Sequence, residues 1–420
     1  MEQALREAPT LDRLLSSGQF FADPYPVYRR LRAESPVHWY APNRQWLVTR
    51  FDDADTVLRS PRQFSSRGFQ RTYFDRLRPE LRAAAPTLDA RASVPSLISS
   101  DPPAHTRLRR HLQAWFTPRA VEALRPKVVE IVDELLASRA RSNEIDVVAE
   151  LAGPLPATMI AEIMGIPRAE RDVFTEMSAD IVLFTNRTDP NTELSAAFAE
   201  KADRSLATCH RYLDELIQVR RREPRDDVVS ALVQSTPDGD TLEREEILAN
   251  LVLFLNAGHE TTAILIANAM LLFVTHPEQL ALLRADPALM PQAIEEVLRF
   301  ESPVQRLRRV VAEEVELAGM RLSPGEPLEV LIGSANRDEA KFADPDAFRI
   351  QREPSRHLAL GKAAHFCIGA GLARLEANVA LTIVLARFAE IRLADGWELE
   401  WPTTTNNRGP KSLRLSVESA

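Results

Sequence analysis

The chain is poor in the features that would set it apart from ordinary soluble enzymes. Only two cysteines occur, Cys209 and Cys367, far apart in sequence. That spacing argues against a disulfide framework and fits a reducing, cytoplasmic setting. Positive charge is not in excess: the formal net charge is −8, which argues against general nucleic-acid binding. No Gly/Ser linker, low-complexity tract or solenoid-spaced repeat interrupts the chain, so one domain over residues 1–420 is expected. The opening MEQALREAPTLDRLL carries acids and lacks an apolar core, so neither a signal peptide nor an anchor is expected there. Long apolar runs are scarce. The one present, LVLFLNAGHETTAILIANAMLLFV from Leu251 to Val274, has the length of a bilayer span. Asn256, His259, Glu260, Thr261 and Thr262 fall in its middle, which argues for a core helix and against a membrane.

Apolar residues make up 45% of the 420, enough for a large core. VVEIVDELLASRA, LSAAFAEKADRSLATCHRYLDELIQVRRR and PQAIEEVLRF place them at helical spacing. The long apolar run extends a helix free of proline between Pro237 and Pro277, with Glu243, Glu245 and Glu246 favouring its N-terminal turns. HWYAPNRQWLVTR reads as a hairpin, and RRVVAEEVELAG, LEVLIG and KSLRLSV read as strands. The expected class is mainly α with a smaller β part. Gly68 to Ser100, rich in Arg, Pro and Ala, reads as an irregular binding loop or lid.

Two stretches carry chemistry. In GKAAHFCIGAGLAR, Cys367 lies between an aromatic and glycines, just before a helix start. It can be a buried small hydrophobe, a nucleophile, a zinc ligand or an axial thiolate on haem iron. His365 is two residues away, which alone makes no catalytic pair, and no second cysteine is near in sequence for zinc. In AGHETT a glycine, an acid and two hydroxyls interrupt a helix, where glycine is unfavourable by ~1 kcal/mol relative to alanine. That cluster suits either a helix crossing a pocket or a polar patch against another buried segment.

AGHETT, EEVLR and HLALGKAAHFCIGAGLARLEA together resemble the cytochrome P-450 family of haem-thiolate monooxygenases in its soluble bacterial form. The likeness extends from DPYPVYRRLRAESPVHW through DPPAHTRLRRHLQAWFTPR and SANRDEAKFADPDAFRI, covering nearly the whole chain. It implies a mostly α fold with haem b held between the long helix and the cysteine loop, the iron ligated by Cys367. It further implies that His105, Arg109, Arg309 and His365 meet the haem propionates and that Ala257 lies against the haem. By spacing alone, His105 and Arg109 read as a charged helix face, since Arg107 and Arg110 are also there. Glu260 and Thr261 would supply a proton path, and Glu296 with Arg299 a buried structural ion pair. Three positions depart from the family pattern. Leu360 stands for a usual phenylalanine, Ala363 for a glycine and Ala347 for an arginine, leaving Arg349 or Arg352 as third partner of the ion pair.

The implied reaction inserts one atom of O₂ into a small to medium organic molecule, with electrons from a separate ferredoxin and its reductase. Arg107, Arg110, His111 and Lys362 are candidate contacts for that acidic partner. Substrate contacts are expected from Leu97, Ile98, Asn256, Val304, Gln305 and the Thr403–Asn406 run, Thr404 included. Such a mixed lining suits an oxygenated macrolide, terpenoid or steroid. The alternatives are peroxide-driven oxidation, ring coupling or dehydration on the same fold, and a haem sensor without turnover.

Overall fold

The structure is a computed structural model describing residues 9–137, 143–186, 195–236, 239–353 and 356–420. At its centre runs the helix Arg244–Thr275, 32 residues long. Glu243 and Glu246 form a reciprocal capping box at its start, satisfying amide groups that would otherwise lack partners. Among the described residues it is the one helix long and apolar enough to cross a membrane, and 56% of its most apolar window is buried inside the protein. Pro154–Ile163 and Ala370–Arg387 are among the helices packed on it. Gly258 has a packing reason: a Cβ there would lie 2.4 Å from Ile160 Cδ1.

Among the described residues, ten strands make the smaller β part. They are β1 (Val37–Tyr40), β2 (Gln45–Val48), β3 (Phe64–Ser65), β4 (Glu144–Asp146), β5 (Arg306–Val311), β6 (Val315–Leu317), β7 (Met320–Leu322), β8 (Pro327–Leu331), β9 (Phe388–Leu393) and β10 (Arg414–Ser419). One sheet has the order β1–β2–β8–β5–β3, a second β4–β10–β9, and β6 pairs with β7. The β1–β2 hairpin pairs Val37 with Val48 antiparallel, and β2 runs parallel to β8. Strand alternation matters most in β5. Leu307 and Arg309 line the central slot, while Arg306 and Arg308 reach Glu329 of β8 at 2.9 and 3.3 Å.

Gly68–Ser100 departs from the irregular loop expected of it. It folds into short helices Phe69–Arg76, Pro79–Ala83 and Pro86–Arg91, followed by a 3₁₀ turn at Leu97–Ser99. Pro79 and Pro86 each open a helix, where a missing amide hydrogen is harmless and the fixed φ already suits the helix. Leu81, Leu88, Ala92 and Leu97 are buried. The high proline content therefore marks helix starts in this segment.

Candidate active site

The cysteine loop owes its shape to two left-handed residues. Gly361 has φ +71°, and a Cβ on it would meet the His365 carbonyl oxygen at 2.9 Å. Ala363 has φ +51°, an uncommon conformation for alanine, unfavourable by roughly 1–2 kcal/mol. The loop thus keeps a backbone suited to glycine although alanine occupies the position. A 3₁₀ turn at Ala363–His365 follows, and the Cys367 amide donates to the Leu360 carbonyl at 2.8 Å. The helix Ala370–Arg387 begins three residues beyond the thiol. The accessible surface of Cys367 lines an interior slot. Burial pushes its thiol pKa up, while the Gly369 amide, Arg109 and Arg374 pull it down.

The slot, about 270 Å³, lies between this loop and the long helix. Leu253, Ala257, Gly258, Thr261 and Leu265 form one wall, and Leu360, Ile368 and Leu372 line the cysteine side. Four basic residues gather along it: His105, Arg109, Arg309 and His365. The rings of His105 and His365 have centroids 4.3 Å apart. His365 Nε2 meets the Ser66 hydroxyl at 3.1 Å, whereas His105 Nε2 is buried with no hydrogen-bond partner among the described residues. Arg109 donates to the carbonyls of Ala364 and Phe366 at 3.2 and 3.0 Å, tying its helix to the cysteine loop. Burial holds Arg309 down to about 10. Burial, then Arg309 and His105, holds His365 down to about 3. Such crowding of basic groups calls for anions. A thiol, apolar walls and a basic rim with an unpartnered buried nitrogen fit a haem, its iron on sulfur and its propionates at the rim.

A second cavity, also about 270 Å³, joins the slot where both are lined by Ile98, Leu253, Ala257, Thr261, Val304 and Leu307. Gln70, Asn256, Glu260, Asn406 and Asn407 contribute its neutral and acidic polar groups, and Arg91, Arg306, Arg308 and Arg309 its cations, of which Arg306 and Arg308 are paired with Glu329. Thr261 Oγ1 donates to the Ala257 carbonyl at 2.7 Å, so its oxygen lone pairs remain available as acceptors. Glu260 Oε2 accepts from Asn407 Nδ2 at 2.7 Å. Asn407 is pinned in turn by a β-bridge to Val304. The neighbouring Arg408 donates to Glu301 at 3.0 Å and to the carbonyls of Phe21 and Ala22.

Leu97 lines the slot, Ile98 and Val304 both spaces, and Asn256 the second cavity, its side-chain oxygen also accepting from Ser178 at 3.2 Å. Two expected substrate contacts lie elsewhere. Gln305 is buried, donates to the Ser302 carbonyl at 2.8 Å, and sits where a Cβ on Gly333 would fall. Thr404 donates to the Asn407 carbonyl at 3.1 Å, and its neighbour Asn406 lines the cavity. Gln305, just ahead of β5, turns back to the Ser302 carbonyl while its neighbour Val304 faces in, and sequence position alone does not reveal that. Asn407 and Asn250 escaped the sequence reading. Asn250 Oδ1 accepts from the Leu97 amide at 2.9 Å, fixing the turn that presents Leu97 and Ile98. Its signal in the sequence is a polar residue within the apolar run ILANLVLFL; its full burial is seen only in the fold.

Behind the loop, Arg299 holds Glu296 with two bonds of 2.7 and 2.8 Å, and both side chains are buried. Arg299 also reaches the carbonyls of Asn336, Pro345 and Ala347. The third partner is Arg352, whose Nε stands 3.1 Å from both Glu296 oxygens. Arg349 contributes only its backbone amide, at 3.0 Å, because its side chain pairs with Asp344. The candidate docking residues divide similarly. Arg107 engages Asp240 and Glu246, and buried His111 meets Asp240, so both are already engaged within the molecule. Lys362 pairs with Asp55 at 3.2 Å and borders an open groove on the cysteine-loop side.

The cytochrome P450 family profile matches residues 81–393. The chain is 40% identical over 416 residues to the cytochrome P450 monooxygenase PikC of Streptomyces venezuelae, covering 97% of this chain and 94% of that protein. It is 37% identical over 419 residues to the vitamin D(3) 25-hydroxylase of Pseudonocardia autotrophica, with 99% and 98% covered. Among solved structures, CYP109E1 from Bacillus megaterium in complex with testosterone superposes with a TM-score of 0.81 at 34% identity, covering 94% of this chain and 99% of that one.

Proposed function

The chain belongs to the cytochrome P450 family of monooxygenases, whose cofactor is haem b with a cysteine-ligated iron, and from that premise we propose that Cys367 is the ligand in a hydroxylase fed by a separate electron donor. When bound, the haem supplies reductive activation of O₂, one atom entering the substrate and the other leaving as water. The observation that carries the reading is the placement of Glu260 and Thr261 on the second cavity, where it meets the slot bounded by Cys367. The basic rim of His105, Arg109, Arg309 and His365 would hold the propionates. Ala257, whose carbonyl already anchors Thr261, would lie against the haem face.

Thr261 can accept a hydrogen bond from a protonated group in the cavity, since its own proton is directed at Ala257. Glu260 is a proton carrier oriented by Asn407, and its carboxylate reaches the same space. The cavity suits an apolar molecule bearing few polar groups, of the size of the sterol- and steroid-like molecules named for two relatives. The donor, a ferredoxin served by its reductase, would dock on the open groove beside the cysteine loop. Arg59, Arg125, Arg356, Lys362 and Arg374 line that groove together with Glu122, Glu295, Glu353 and exposed Phe366. Arg59 and Lys362 share Asp55, Arg125 pairs with Glu122 and Arg374 with Glu295, so an acidic donor would compete for these cations. A cytoplasmic setting accompanies this reading, because Cys209 and Cys367 are both free thiols.

The test replaces Thr261 by alanine and measures product and hydrogen peroxide per NAD(P)H under identical partner supply. The variant should still bind haem and substrate while product per NAD(P)H falls several-fold and peroxide rises. Unchanged coupling would remove Thr261 from the proton path. Turnover with added peroxide but not with NAD(P)H and donors would favour the peroxide-driven alternative.

A further inference from the structure

Six arginines between Gly68 and Ser100 or just before them, Arg67, Arg71, Arg76, Arg78, Arg82 and Arg91, could in sequence attract an anion but read first as a solvated lid face. Five behave so. Arg71 and Arg82 each pair with Asp75 and Asp89, Arg78 with Glu80, Arg76 donates to Gln45, and Arg67 is exposed. Arg91 differs. Its Nε is buried without a hydrogen-bond partner, and no carboxylate pairs with it among the described residues. It lines the second cavity beside Phe74, Leu88 and Ala92, away from the wall shared with the haem slot.

Nearby acids are already engaged. Asp89 serves Arg71, while Asp203 accepts from the Thr87 hydroxyl and the Leu88 amide, each at 2.9 Å. Behind Arg91 lies Cys209, whose thiol burial pushes up to about 12, so it stays neutral. Burial pulls Arg91 itself down to about 10, which leaves it cationic at neutral pH. A partly buried cation with a sealed Nε and no counter-ion is unfavourable unless a ligand supplies one. The carboxyl on the same cavity, Glu260, is held by Asn407. A second carboxylate near Glu260 would be repelled, whereas one at Arg91 would be welcomed.

We propose that Arg91 anchors a carboxylate, so that the substrate is an apolar organic acid lying with its acid group at Arg91 and its apolar body toward Thr261. The inference rests on the second cavity being the substrate site of the monooxygenase. It narrows the substrate class and makes Arg91 a specificity determinant.

The test titrates the haem-loaded protein with tetradecanoate and abietate, one flexible acid and one rigid polycyclic acid, and with their methyl esters. Binding is read by calorimetry and by the haem absorption shift. At least one acid should bind about tenfold or more tightly than its ester, as a charge-assisted pair in a desolvated site requires. Arg91→Gln should remove that preference and leave the ester's affinity unchanged, whereas Arg91→Lys should retain part of it. Equal binding of acid and ester, no binding of either acid, or a preference that survives Arg91→Gln would overturn the proposal. Failure of the monooxygenase reading would show separately, as a reduced CO complex lacking the thiolate-type band in a protein whose calorimetric preference is intact.

Discussion

The two sides of the cysteine loop treat buried charge in opposite ways. Behind the loop, Glu296 is surrounded by Arg299, Arg352 and the Arg349 amide, and the remaining Arg299 hydrogens reach backbone carbonyls. In front of it, His105 Nε2 and Arg91 Nε are buried without partners among the described residues. Both regions draw on arginines and hydrogen-bonding backbone. The first is complete within the protein and therefore holds the fold together. The second is complete only with a ligand, and a fold that leaves such groups unpaired is organised around what will bind there.

The sharpest way to break this contrast is at the sulfur. Cys367→Ser should abolish the thiolate-type band of the reduced CO complex and the oxygenase turnover, while Cys209→Ser, altering a thiol outside the slot, should leave the band intact. A normal band in the Cys367 variant would remove the ligand assignment. Next in size is the completed network. Glu296→Ala leaves Arg299 and Arg352 as uncompensated cations and should lower unfolding free energy by about 3–5 kcal/mol, with loss of haem. Chemical denaturation of the purified variant, with its haem content, checks this; parental values for both would show that the pair does not support the loop.

The smallest effect belongs to the neighbouring residue. Glu295 is 41% exposed and pairs with Arg374 and His357. Burial raises its pKa, but the hydrogen bonds from His357 and Arg374 outweigh that and hold it at about 2 rather than 4.5. Its carboxylate therefore adds stability above its unfolded value of 4.5, and that contribution is lost as pH falls toward 2. Solvent screening keeps the contribution below ~1 kcal/mol, so Arg374→Gln should shift stability by no more than that and flatten its dependence over this pH range. Denaturation midpoints from acid to neutral pH decide it. An effect as large as that of Glu296→Ala would erase the distinction between the two neighbouring glutamates.

The departures from the family pattern were legible as letters, and their consequences were not. Ala363 is visible in the sequence, yet only the backbone shows that it takes the left-handed conformation a glycine would occupy. Ala347 removes an arginine side chain, but its carbonyl still accepts from Arg299 and Arg352. The sequence left Arg349 and Arg352 equivalent as partners of Glu296. They divide the task in space, one by its amide and the other by its guanidinium. Gln305 and Asn407 show the same limit. Which side of a strand or turn faces a cavity depends on pairing with distant segments, here Val304 with Asn407.

What the sequence determined alone was local. The proline-free apolar run, acidic at its start, had to form one long buried helix, because spacing is a property of neighbouring residues. The glycine-flanked cysteine before a second helix left four roles open, and only the resemblance to the family implied a thiolate ligand. Tertiary structure decided which charges were left unpaired. Arg71, Arg82 and Arg91 share one stretch and one composition, but Asp75 and Asp89 lie within reach of the first two, while Arg91 lies beside Cys209 with no such neighbour among the described residues. Electrostatic interaction depends on distance and local dielectric, and both are set by how remote segments pack.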